Sequence, residues 1–512
     1  MKNLKFLTLF TAVVLLIISC KVAEPLPIVD NSFSIIGRDT IKTRIETEFA
    51  KIKEHDPNGK RYISVGDTIV TYKTPKLHTP PIKDPDLSKI KNNDDPDLKG
   101  KPLRYVAIGG SLTAGVRDGG YFNEGIMTSY PNLIARQMKL KKFEQPLFDA
   151  QDYNGFGRKA RTSFNPTGGP VPKFKDVENN TGTDGFVDIT TPIGKSQSMI
   201  KLKKYKGKDE ELDNLAIPEL HQNGFSPTSS IEYITWLGGQ SYGNAKAEFS
   251  NRMFEDKKKS IVAHALTKKM DFFTLEFGWV GLGERNLSMN TDAYDPKWIE
   301  DYSMGNFYLN PEVILLRKLR DSKVKYGVIY NIPNYRKFPY CTFINRDKVN
   351  AVLNQLGRRS YTDEYIFYPT SVVDSLLSPK VHIALKAELF DTSNPNPVLT
   401  NWAQSSSGFT PNRFENNELA FFNKEVAFIS DYFKYPMVDL YTLFNQILAG
   451  KYVTDDGIRV DGTWPNGNFF STDGYYPTPL GNAIITNETI KVFNKYYGTE
   501  IPLIPTREYL EK

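Results

Sequence analysis

Ser111, in the run Tyr105-Val-Ala-Ile-Gly-Gly-Ser111-Leu-Thr-Ala-Gly115, is the hydroxyl best placed to act as a nucleophile. A serine attacks a carbonyl only when a base within hydrogen-bond reach takes its proton and donors stabilise the developing oxyanion. The usual base is a histidine oriented by a carboxylate. A carboxylate stands in the run Phe469-Phe-Ser-Thr-Asp473-Gly-Tyr-Tyr476-Pro-Thr-Pro479, but the residue three beyond Asp473 is Tyr476. The five histidines are His55, His78, His221, His264 and His382, and none lies in either run. A phenol titrates near about 10, against about 6.5 for imidazole, so Tyr476 is a poor proton acceptor at neutral pH. His221 is the best substitute base, although its polar Glu-Leu-His-Gln-Asn setting reads more simply as surface. His264 falls in a predicted helix and His382 in an insertion, and both read as structural.

The elements around these runs follow an α/β rhythm. Residues 103–108 are a short apolar run ending at Gly109-Gly110, the pattern of a buried strand. Further strands are predicted at 271–277, 326–333 and 437–440, with helices at 130–138, 245–269, 311–321, 418–433 and 482–497. Strands alternating with helices predict a parallel sheet covered on both faces. In such a sheet Ser111 sits outside the carboxyl end of the first strand, where ligands bind. Residues 153–200 read as loop or irregular insertion, within a longer insertion spanning 153–245, and a second insertion spans 340–415.

Several runs resemble, in order, the sequence blocks of the SGNH/GDSL hydrolases, especially their exported lipoprotein branch. They are Ala107 to Gly115, Ser129-Tyr-Pro-Asn-Leu-Ile-Ala135, Gln145-Pro-Leu147, Asn214-Leu-Ala-Ile-Pro218, Asp271-Phe-Phe-Thr-Leu275, Asn331-Ile-Pro333 and Phe469 to Pro479. The resemblance covers residues 101–505 and implies a flavodoxin-like three-layer α/β/α domain with an ancestral activity on esters. It makes Ser111 the nucleophile and Asp473 the carboxylate of the site. It also marks four departures. Glu219 stands where the family has a glycine whose N–H serves the oxyanion hole, Val280 where it has an asparagine donor, and Tyr476 where it has the histidine. Gly110 replaces the usual aspartate or asparagine before the serine.

Composition narrows the rest. Lys2 and Lys5 precede an apolar run over residues 6–18, too short to span a bilayer and read as a signal peptide over 1–19. Ile17-Ile-Ser-Cys20 resembles a bacterial lipobox, making Cys20 the lipidated N-terminus of a chain delivered to the outer membrane. The only other cysteine is Cys341, so no disulfide framework is expected. Residues 20–100 read as a tether, since 75–100 is dense in Pro, Asp and Lys. A net charge of +6 over 512 residues is too small to argue for nucleic acid. No His-x-x-His or Cys-x-x-Cys pair and no phosphate-cradling loop occurs, so neither metal nor cofactor is expected.

These residues lead to two expectations. The first is a lipid-anchored outer-membrane protein whose hydrolase-like domain has lost catalysis and binds an envelope protein or a glycan. The second is an active serine esterase or deacetylase using Ser111 with a non-standard base, assisted by Asp473 or His221. The aromatics expected at the mouth (Tyr121, Phe122, Trp236, Trp279, Trp464, Tyr475 and Tyr476) serve as contact residues in the first reading, or simply fill the former pocket.

Overall fold

The computed structural model describes residues 62–65, 68–71, 81–91, 94–163, 173–177, 179–190, 196–218, 242–255, 261–276, 311–342, 344–345, 366–367 and 415–510. The apolar run before Gly109 forms strand β1 (Tyr105–Ile108), with all four residues buried. Beside it in parallel lies β2 (Phe272–Glu276), then β3 (Tyr326–Tyr330) and β4 (Met437–Val438). Strands apolar on both faces are characteristic of parallel sheets covered on each side.

Residues 212–217 add a fifth parallel edge outside β1. The Ala107 N–H donates to Asp213 O at 2.9 Å, Leu215 N–H to Ala107 O at 2.8 Å, and Ile217 N–H to Gly109 O at 3.1 Å. With this edge included, the strands stand across the sheet in the chain order 2-1-3-4-5.

Among the described residues the longer helices are α1 (Tyr130–Gln137), α2 (Tyr242–Met253), α3 (Ile261–Leu266), α4 (Pro311–Asp321), α5 (Glu415–Phe433), α6 (Leu440–Leu448) and α7 (Pro479–Tyr497). Neighbouring strand residues point to opposite faces, and Phe272 and Phe273 make this visible. The Phe272 ring meets Phe493 of α7 at 5.4 Å, whereas Phe273 meets Tyr435, just beyond α5, at 4.9 Å. Tyr330 joins the first face, its hydroxyl 3.0 Å from that of Thr489 on α7 and its ring 5.0 Å from Tyr130 of α1. Different helices therefore cover the two faces. Gly327 makes this packing possible, because a Cβ there would stand 2.4 Å from the Phe273 ring.

Three features differ from the sequence reading. The stretch 159–202, read as irregular, contains two antiparallel hairpins: Lys159–Ser163 with Lys173–Asp176, and Thr183–Thr190 with Ser196–Leu202. The predicted helix over 245–269 is two helices, α2 and α3. Residues 81–91 and 94–100, read as tether from their composition, pack on the domain. Ile90 is wholly buried in the main core, Asp86 and Glu500 exchange backbone hydrogen bonds at 3.3 Å, and Asp95 is paired with Lys269 at 3.0 Å. A handful of apolar anchors and ion pairs suffices to order a polar segment against a surface that already exists.

The signal segment, Cys20 and most of the 340–415 insertion lie outside the described residues. Among the described residues no helix is long and apolar enough to cross a membrane.

Candidate active site

Ser111 opens a one-turn helix, Ser111–Ala114, directly after β1 and Gly109-Gly110, and is 2% exposed. A buried carboxyl, that of Glu276, the last residue of β2, touches the residue before Ser111. Its Oε2 accepts the Gly110 N–H at 2.8 Å and the Thr113 hydroxyl at 3.0 Å. Thr113 is in turn 2.8 Å from the Tyr130 hydroxyl. Gly109 is needed beneath this carboxylate, since a Cβ would lie 2.9 Å from Glu276 Oε2 and 2.2 Å from the Thr113 hydroxyl oxygen. A carboxyl group thus sits against the peptide that introduces Ser111. When ionised, a carboxyl opposes an oxyanion forming nearby.

Asp473 lies in a tight turn, 2% exposed. Its Oδ1 accepts the N–H groups of Tyr475 and Tyr476, both at 2.8 Å, and its Oδ2 accepts the Gly119 N–H at 3.2 Å. Burial raises its pKa to about 6 in spite of these donors, and the neighbouring Asp118 adds to the rise. The turn is also clipped to the Ser111 segment. Asp118 N–H donates to the Ser471 hydroxyl at 2.9 Å, and Asp118 Oδ1 accepts the Thr472 N–H at 3.2 Å and its hydroxyl at 3.1 Å. Asp118 has φ +53°, a left-handed conformation that aspartate tolerates better than most residues.

Next to this clip is a buried ionic group. Arg117 pairs with Asp118 at 2.6 Å and with Glu124, and Arg158 reaches the other oxygen of Glu124 at 3.3 Å. Both guanidinium groups lie over the Phe122 ring, Arg158 at 4.2 Å and Arg117 at 5.2 Å from its centroid.

The structure therefore links the Ser111 and Asp473 runs through the 117–119 loop. Tyr476, three residues beyond Asp473, is buried, with its N–H on Asp473 and its ring edge-on to Tyr475 at 5.0 Å. Tyr475 packs against Phe338 at 5.3 Å, and Trp464 donates its indole N–H to Ser471 O at 3.0 Å. Tyr121 and Phe122 are buried as well, so these five aromatics fill the interior rather than a surface. Glu219, Val280, His221, Trp236 and Trp279 lie outside the described residues.

Among the described residues His264 is the sole histidine; it stacks on Phe254 with 3.8 Å between centroids. It lies near Asp209, which accepts the Glu255 N–H at 3.2 Å, and it precedes β2, on the side of the sheet away from Ser111. Among the described residues no group of three His, Cys, Asp or Glu side chains is arranged to hold a metal.

Sequence reasoning missed Glu276. The available signal was one carboxylate inside the otherwise apolar run Phe272-Phe-Thr-Leu-Glu-Phe277. No family model, curated protein or solved structure matches this chain.

Proposed function

We propose that the chain is a lipid-anchored outer-membrane protein carrying an SGNH-type domain with a retired active site. It serves as a binding or scaffold subunit for an envelope protein or a glycan. The strand order 2-1-3-4-5 is that of flavodoxin-like sheets, whose ligands bind where the order reverses. Ser111 and Glu276 stand at the ends of the two strands that flank that point. The reading rests on Tyr476: the resemblance sets this residue where the base would stand, and it is buried, with its N–H and that of Tyr475 held by Asp473. With the base gone, a serine keeps little beyond what binding provides. Glu276 adds to this reading: its carboxyl occupies the Gly110 N–H directly before Ser111, so that N–H is not free to serve an oxyanion.

The test uses the purified mature protein and short-chain acyl nitrophenyl esters, together with fluorophosphonate labelling. The expected result is no turnover or labelling that depends on Ser111. Hydrolysis that Ser111→Ala abolishes would establish the esterase reading instead. Metabolic lipid labelling, lost in Cys20→Ala, checks the anchor separately.

A further inference from the structure

Arg252, in the last turn of α2, is 2% exposed, and burial lowers its pKa. Its Nη1 donates to Pro146 O at 2.7 Å. Its guanidinium carbon lies 3.8 Å from the centroid of the Phe148 ring and 5.8 Å from that of Tyr121. Nε and Nη2 are enclosed and have no hydrogen-bond partner among the described residues, and the same is true of the Tyr121 hydroxyl. Burial pushes that hydroxyl up to about 12, with Arg252 drawing it back, so it remains a neutral donor at physiological pH.

The acids of this region are engaged elsewhere. Asp149 pairs with Lys206, Asp152 with Lys203 at 2.7 Å, and Glu144 accepts the Tyr205 hydroxyl at 2.8 Å. Aromatic stacking offsets part of the cost of burying the cation. It acts on the face of the guanidinium, however, and leaves the N–H groups along its edge unmatched. Nε and Nη2 share one edge, the fork that grips two oxygens of a carboxylate or oxyanion. The unmatched groups are donors on or beside a positive charge, so their complement is an anionic acceptor with two adjacent oxygens.

We propose that the Nε–Nη2 edge of Arg252, with the Tyr121 hydroxyl, forms an internal binding site for a small oxyanion: a carboxylate, or inorganic phosphate or sulfate. The site is distinct from Ser111 and does not depend on whether that serine is active. Because the donors are enclosed, occupancy is read as stabilisation of the folded state.

The test is thermal unfolding of the mature protein at constant ionic strength, with chloride replaced stepwise by phosphate, sulfate or acetate. At least one of these ions should raise Tm with a saturable dependence, and the ion that does so identifies the ligand. Arg252→Met should remove the saturable response. Tyr121→Phe should raise the half-saturating concentration about tenfold, as expected for one hydrogen bond to a charged group. A flat wild-type response to all three ions overturns the proposal, and so does an undiminished response in Arg252→Met. Should Arg252→Met fail to fold, Tyr121→Phe decides, and an unchanged half-saturation refutes the site.

Discussion

Asp439 and Asp473 both follow the sheet and both hold a turn through backbone N–H groups, but their carboxyls shift in opposite directions. Asp439 caps α6, accepting the Thr442 N–H at 3.0 Å, its hydroxyl at 2.6 Å and Asn331 Nδ2 at 2.8 Å. Burial works against its charge, but these hydrogen bonds outweigh it and lower the pKa. Asp473 accepts three backbone N–H groups, and burial still raises it to about 6. The difference is water. Asp439 is exposed at a helix start, whereas Asp473 is sealed under Tyr475 and Tyr476 with Asp118 close by. Burial thus makes the ionised form of Asp473 harder to reach than that of Asp439, although both carboxyls organise a turn.

The comparison can be broken by experiment. The largest effect is expected for Asp473→Ala, which leaves three N–H groups without their acceptor. At pH 5 it should cost about 3 kcal/mol in urea unfolding. A loss no larger than that of an ordinary surface substitution would deny the turn its structural role.

Next comes pH. The folded pKa of Asp473 lies above its ordinary value of 3.8, so its contribution is fully present below that value and is lost as pH rises through about 6. The stability advantage of wild type over Asp473→Asn should therefore shrink by about 2 kcal/mol between pH 4 and pH 8. Asp439 has the opposite sign: its contribution is present above the ordinary value and lost as pH falls through its lowered folded value. A wild-type advantage that grows towards pH 8 would reverse the assignment.

The smallest effect is expected for Asp439→Ala, about 1 kcal/mol at neutral pH, as for other helix N-caps. Equal losses at the two aspartates would erase the distinction between them.

Much of this was legible in the sequence where local pattern and tertiary role agree. The strand before Gly109 and the helix after Pro477-Thr-Pro479 announce themselves by apolar runs bounded by glycine or proline. The helix α6 was overlooked, although Asp439 and the buried spacing of Leu440, Leu443, Phe444 and Ile447 spell it out. The hairpins within 159–202 were not legible, because Asn, Gly and Thr obscure an alternation that only pairing makes meaningful, and the edge at 212–217 is too short to announce itself before it pairs with β1. Glu276 is the instructive miss. Its partner Gly110 is 166 positions away, and no local rule connects a carboxylate in one strand to the amide at the end of another. Ser111 and Asp473 stand out in the sequence because they lie in distinctive runs. What holds them does not, because those bonds cross the fold.

The bond pair between Asp86 and Glu500 has one more consequence. It brings two points near opposite ends of the sequence into contact, so between them the described body is a closed ring. The 19 residues of α7 rise about 28 Å from the Asp473 turn to that closure. In polymer terms, that pairing closes a very long loop, so releasing it returns conformational freedom to the chain without removing any strand of the sheet.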